Sequence, residues 1–164
     1  ALTTKGDLLT FNTAETRLPV GLVDGQVLTV NAAVADGIEW STSTHKPTQS
    51  FITACSDETS DLATGILSYW RTPYAFTVTG VRASVTTAPT GANITVDILQ
   101  NGVSILTTNI TIDVTEKTSQ TAAIPPVILT SALTDDSEIT INLTTIGSTI
   151  AGTGLKVTII GNQT

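Results

Sequence analysis

Charge is the scarcest ingredient of this sequence. Lys, Arg, Asp and Glu make up 13% of its 164 residues, about half the share of an ordinary globular domain, which argues against the highly charged surface of a typical cytosolic protein. Aromatic residues are 4% and methionine is absent, and the composition excludes a helical protein built on Ala, Glu, Lys and Leu. The single cysteine, Cys55, has no partner for an internal disulfide. None is needed, because a compact chain of this length buries roughly 70% of the surface its unfolded form exposes. One unpaired thiol fits synthesis in a reducing cytosol. No run approaches the roughly 20 apolar residues of a membrane span. The opening ALTTKGDLLT lacks the basic end and apolar stretch of a secretory signal, and a start at Ala1 is expected if an initiator methionine is trimmed before a small residue, although trimming of a longer leader would look the same.

The formal net charge is -7, so a phosphate backbone or an anionic membrane surface would be repelled, and neither nucleic acid nor membrane is an expected partner. In place of charge the chain carries threonine, about one residue in five, which suits strands with one solvated face.

Two regions differ in texture. Up to Trp40, short apolar bursts are separated by Gly6, Gly21, Gly25 and Gly37 and are too sparse to enclose a core alone. The polar stretch STSTHKPTQ, Ser41 to Gln49, reads as a linker. From Ser50 onward, strand-like segments alternate with turn residues over about 115 residues, the size of one β-sandwich. Ile94, Val96 and Ile98 alternate with Thr95 and Asp97, and Asn101-Gly102 supplies a tight hairpin turn. Ile110, Ile112 and Val114 form a second such set, Ile139, Ile141 and Leu143 a third, and Leu155, Val157 and Ile159 a fourth. In AFTVTGVRASVTT the apolar face changes phase at Gly80, which predicts a β-bulge. Pro125-Pro126 denies ladder donors and marks an edge or corner. No window has a sustained helical period. The expected fold is therefore all-β: an antiparallel, jelly-roll-like β-sandwich over residues 46–164, preceded by an extended arm with short strands over 1–45. An immunoglobulin-like sandwich is the competing topology, although the paired cysteines of antibody domains are missing.

The residues offer little for catalysis. The lone histidine, His45, lies in the linker and reads as a solvated loop residue. Cys55 has no basic neighbour in sequence to activate it and reads as a buried, inert thiol. Two acidic groups, Asp57-Glu58 with Asp61 and Asp135-Asp136 with Glu138, lack the ligand spacing of a calcium loop and read as solvated turn acids, with a weak calcium site as the alternative. Gly152 to Lys156 lacks the Lys-Ser/Thr of a phosphate loop and reads as a turn. Four N-x-S/T sequons, at Asn93, Asn109, Asn142 and Asn162, are expected to stay bare. Tyr69, Trp70 and Tyr74, around Pro73, offer either a sugar-stacking platform or an aromatic anchor for the core. No cofactor, no metal and no enzymatic activity are expected.

Specific segments carry a resemblance. Thr4 to Leu9, Arg17 to Gly21 (RLPVG), Asp24 to Leu28 (DGQVL) and Gly37 to Trp40 (GIEW) together resemble a module of tailed-bacteriophage virion proteins. The later segments SDETSDLATG, RTPYAFTVTGVRASVTTAPTGA, NGVSIL, TIDVTEKTS, DDSEITI and GLKVTIIG likewise resemble structural domains of tail-fibre and head-surface proteins. A fibre shaft usually repeats its module, whereas this one occurs once beside a single sandwich. The resemblance therefore implies a non-enzymatic capsid decoration, or cement, protein. Such a protein would be a homotrimer made in the bacterial cytoplasm and seated on the outer surface of the head against the major capsid protein. Leu8, Leu9, Phe11, Leu18, Val20, Leu28, Val30, Ile38 and Trp40 would then be buried only against sister subunits or the capsid. The alternative it implies is a short tail or head fibre whose sandwich recognises a host-surface glycan through Tyr69, Trp70 and Tyr74.

Overall fold

Alternating apolar and threonine-bearing positions become antiparallel strands along the chain, and no helix occurs among the described residues. The computed structural model describes residues 8–11, 15–18, 26–34, 37–42 and 47–164. His45 and Val20 lie outside the described residues. The chain divides into two compact units, Ala1–His45 and Lys46–Thr164.

Among the described residues, the first unit holds two hairpins. Strand β1 (Leu8–Phe11) pairs with β2 (Glu15–Leu18), setting Leu8 opposite Leu18 and Leu9 opposite Arg17. Strand β3 (Gln26–Val30) pairs with β4 (Ile38–Thr42). The loop joining them is closed by backbone bonds from Asn31 N–H to Gly37 C=O and from Gly37 N–H to Val34 C=O. Gly37 there has φ +70°, a left-handed conformation that glycine adopts without a Cβ penalty. Ser41 and Thr42 belong to β4 and Gln49 opens the next strand, so the segment joining the units is shorter than the polar composition of Ser41 to Gln49 predicts.

The second unit is a β-sandwich. Its strands are β5 (Gln49–Ala54), β6 (Gly65–Arg71), β7 (Phe76–Ser84), β8 (Ile94–Gln100), β9 (Val103–Ser104), β10 (Leu106–Thr108), β11 (Ile110–Ile112), β12 (Val127–Ile128), β13 (Ala132–Leu133), β14 (Glu138–Thr145) and β15 (Lys156–Gln163). One sheet has the order β13-β7-β15-β5 and the other β11-β8-β14-β6, with β9 also on β8. Every connection between these eight principal strands crosses to the other sheet except β8 to β11, and this is jelly-roll connectivity. The immunoglobulin-like alternative is thereby set aside.

The inward positions are those that the period of two selects. Ile94, Val96 and Ile98 on β8, Ile139, Ile141 and Leu143 on β14, and Val157 and Ile159 on β15 are all buried. The phase change at Gly80 is a bulge: β15 slips register between Ile160 and Gly161, so Phe76 and Val78 before it and Val81 and Ala83 after it all reach the core. Asn101 and Gly102 take positive φ in the β8–β9 turn. Pro125 and Pro126 fall in the excursion between β11 and β12, outside both sheets. Val114 departs from its expected alternation. The strand ends at Ile112, Thr115 turns with φ +70°, and Val114 is left 37% exposed.

Candidate functional site

The register of β3 and β4 decides what the first unit can present. Leu28 pairs with Trp40 and Val30 with Ile38. Direct partners and residues two apart share a face of a sheet, so these four side chains form one apolar face. The opposite face is mostly polar: Thr29 Oγ1 lies 3.0 Å from Ser41 Oγ and 3.2 Å from the Glu39 carbonyl. At the hairpin end, Asn31 Nδ2 donates to Glu39 Oε1 at 2.7 Å. The apolar face is incompletely covered. Val30 is 87% exposed and Leu28 43%, while Ile38 and Trp40 are half-buried. The indole Nε1 of Trp40 is buried and has no hydrogen-bond partner among the described residues. Of the nine docking residues expected from the sequence, these four come together. Leu8, Leu9, Phe11 and Leu18 lie on the β1–β2 hairpin, where backbone pairing alone is described.

The three candidate sugar-stacking residues do not form a shared platform. Tyr69 and Trp70 are consecutive on β6 and point to opposite faces, leaving Tyr69 75% exposed. Trp70 instead packs on Phe51, with ring centroids 4.9 Å apart, and Phe51 lies 4.9 Å from Phe76 and 6.0 Å from Tyr74. The Tyr74 hydroxyl donates to Gln49 Oε1 at 2.5 Å. Trp70 and Tyr74 therefore serve as the aromatic anchor, joined by Phe51 and Phe76, which sequence reasoning did not connect to them. The available signal was the alternation of β5, which turns Phe51 toward the core. Beside Tyr69 on the outer face lie Thr140 and, further along, Asn142 paired with Ile66; Ile66 is 68% exposed.

Several of the other chemistry-bearing groups are committed to structure. Burial pushes the Cys55 thiol up to about 11, against a smaller lowering by the Val157 backbone, which keeps it protonated and unreactive near neutrality. Asp57 Oδ1 accepts the backbone N–H groups of Ser60 at 2.6 Å and Thr59 at 2.8 Å, and these bonds pull its carboxyl down to about 2. The Lys156 ammonium beside Glu58, aided by the Thr86 hydroxyl, lowers the Glu58 carboxyl. Asp136 receives Arg71 at its carbonyl (2.7 Å) and its carboxylate (3.6 Å). Gly152 and Gly154 carry positive φ in the turn before β15, and the Gly154 N–H donates to the Asp57 carbonyl. Asn93 donates to Asp113 and accepts the Val114 N–H. Among the described residues, no group of three or more His, Cys, Asp or Glu is placed to hold a metal ion.

The arrangement is that of an all-β protein: a jelly-roll sandwich preceded by strand hairpins, one of which displays an apolar face. No protein-family model matches the chain, and no curated protein sequence matches it.

Proposed function

We propose that the protein is a non-enzymatic capsid decoration protein of a tailed bacteriophage, a homotrimer that binds the outer surface of the head and stabilises the shell. The observation that carries this reading is the apolar face of Leu28, Val30, Ile38 and Trp40 on a hairpin of the first unit. Such a face gains about 25 cal/mol for each Å² of apolar surface it loses to water, so it favours association with a sister subunit or the major capsid protein. A protein that binds the assembled lattice and not its free subunits stabilises the lattice by mass action. The low charge supports the same reading, since each ion buried at a subunit contact would incur a desolvation cost. The test is the position of the protein on intact particles by electron microscopy, with heat challenge of particles lacking it. Density over the joints between capsid subunits and an earlier loss of shell integrity are expected. Density confined to the tail tip contradicts the proposal.

A second reading is favoured by Tyr69, a 75% exposed ring on the outer face of a sheet. In it the protein is a short head or tail fibre and Tyr69 stacks on a host-surface glycan. Loss of glycan-array binding in Tyr69→Ala would support that reading, and binding unchanged by it would remove it.

A further inference from the structure

One rung of the ladder along the outer edge of β7 is open. Ala83 turns both backbone groups away from β15: its N–H donates to Ser119 Oγ at 2.9 Å and its C=O accepts the Ser119 N–H at 2.9 Å. Backbone groups alternate sides along a strand, so Val81, two residues earlier, aims its N–H and C=O at the same edge. On either side that edge is occupied. The Val78 N–H donates to the Ser131 carbonyl at 2.7 Å and the Val85 N–H to the Lys117 carbonyl at 3.0 Å. Between these points the chain leaves the sheet at Ser119, whose hydroxyl substitutes for a backbone acceptor, and returns at Ser131. Pro125 and Pro126 stand in the interval and have no N–H to give. Neither backbone group of Val81 has a partner among the described residues.

The excursion leaves a cleft of about 440 Å³ lined by Val81, Arg82, Gln120, Pro126, Ile128 and Ile160. Arg82 is exposed at its margin and makes no ion pair among the described residues, whereas Arg71 and Lys156 are engaged with Asp136 and Glu58. The cleft thus combines a donor and acceptor at strand spacing, an apolar wall of proline and isoleucine, and an unmatched guanidinium.

We propose that this cleft binds an extended peptide segment of a partner protein, one residue of which pairs with Val81 while an adjacent Asp or Glu meets Arg82. Strand addition satisfies the open N–H and C=O together, as a lone carboxylate cannot, and the flanking carboxylate gives a charge-assisted bond that fixes register. The inference is independent of the decoration reading, because it concerns the chemistry of the segment and not the particle that presents it.

The test uses the full chain, isotope-labelled for NMR, titrated to millimolar concentration with the blocked peptide Ac-Thr-Val-Asp-Val-Thr-NH2. Saturable shifts centred on the Val81, Arg82 and Gln120 amides are expected, with hydrogen exchange at the Val81 N–H slowed at least tenfold. Replacing the peptide Asp by Asn, or Arg82→Gln in the protein, should each weaken binding about tenfold, and the two together no further. Absence of a saturable shift at Val81 overturns the proposal. So does equal binding of the Asp and Asn peptides, or a Val81 amide already as protected as that of Ala83 in the free protein.

Discussion

Residues 26–42 and residues 49–163 are made of the same material, short apolar alternations with threonine on the polar side. In the sandwich, the row Ile139, Ile141 and Leu143 faces a second sheet, and none of the three is more than 1% exposed. In the β3–β4 hairpin the equivalent row includes Val30 at 87% and Leu28 at 43%. The period of two makes a strand in both places, but a second apolar layer is what makes a core. The sandwich supplies its own second layer, and we attribute to the hairpin a need for one from outside.

The comparison can be tested in order of effect. Phe76, fully buried at the meeting point of the aromatic cluster, contributes most: Phe76→Ala should destabilise the sandwich by about 3–5 kcal/mol in denaturant titration of the full chain. An unmoved midpoint would deny the sandwich its independent core. Gly161→Ala should cost about 1–3 kcal/mol, because a Cβ there would lie 2.0 Å from the Thr77 carbonyl oxygen and 2.7 Å from Phe76 Cε1, forcing β15 from β7. Thr72→Val should cost about 1–3 kcal/mol in the same assay, because Thr72 Oγ1 accepts the buried Ser137 N–H at 2.9 Å and donates to the Thr134 carbonyl at 2.6 Å. Leu28→Asp, by contrast, should shift sandwich stability by no more than about 0.5 kcal/mol while weakening self-association in sedimentation.

The smallest effect is on pH dependence. The Asp57 carboxyl is depressed to about 2 in the folded protein, so it binds a proton more readily once the chain unfolds. Its contribution is present above the unfolded value near 3.9 and is lost as pH falls toward 2. Acid titration of Asp57→Asn should therefore show a shallower loss of stability in that window, and an unchanged slope would remove the role given to the Ser60 and Thr59 amides.

Much of the sandwich was legible in the sequence because its burial follows a strict alternation. The bulge at Gly80, the Asn101-Gly102 turn and the inward rows of β8, β14 and β15 can all be read that way. Strand pairing across long separations cannot. That β5 and β6 are the edges of opposite sheets, and that Phe51 thereby reaches Trp70, Tyr74 and Phe76, depends on topology. The Tyr69–Trp70–Tyr74 grouping failed as a platform for a local reason: consecutive residues on a strand face opposite ways. The open rung at Val81 was equally hidden, since it depends on where the 119–131 excursion leaves and rejoins β7. On the hairpin, the shared face of Leu28, Val30, Ile38 and Trp40 follows from register alone, once the two strands are known to pair.

The central claim, that the sandwich stands alone and the hairpin serves association, is tested most directly by hydrogen exchange on the full chain and on Trp40→Asp. Residues 50–164 should keep the same protection in both, while amides in 26–42 gain protection with increasing concentration in the unsubstituted protein only. Loss of protection across 50–164 in Trp40→Asp would contradict it.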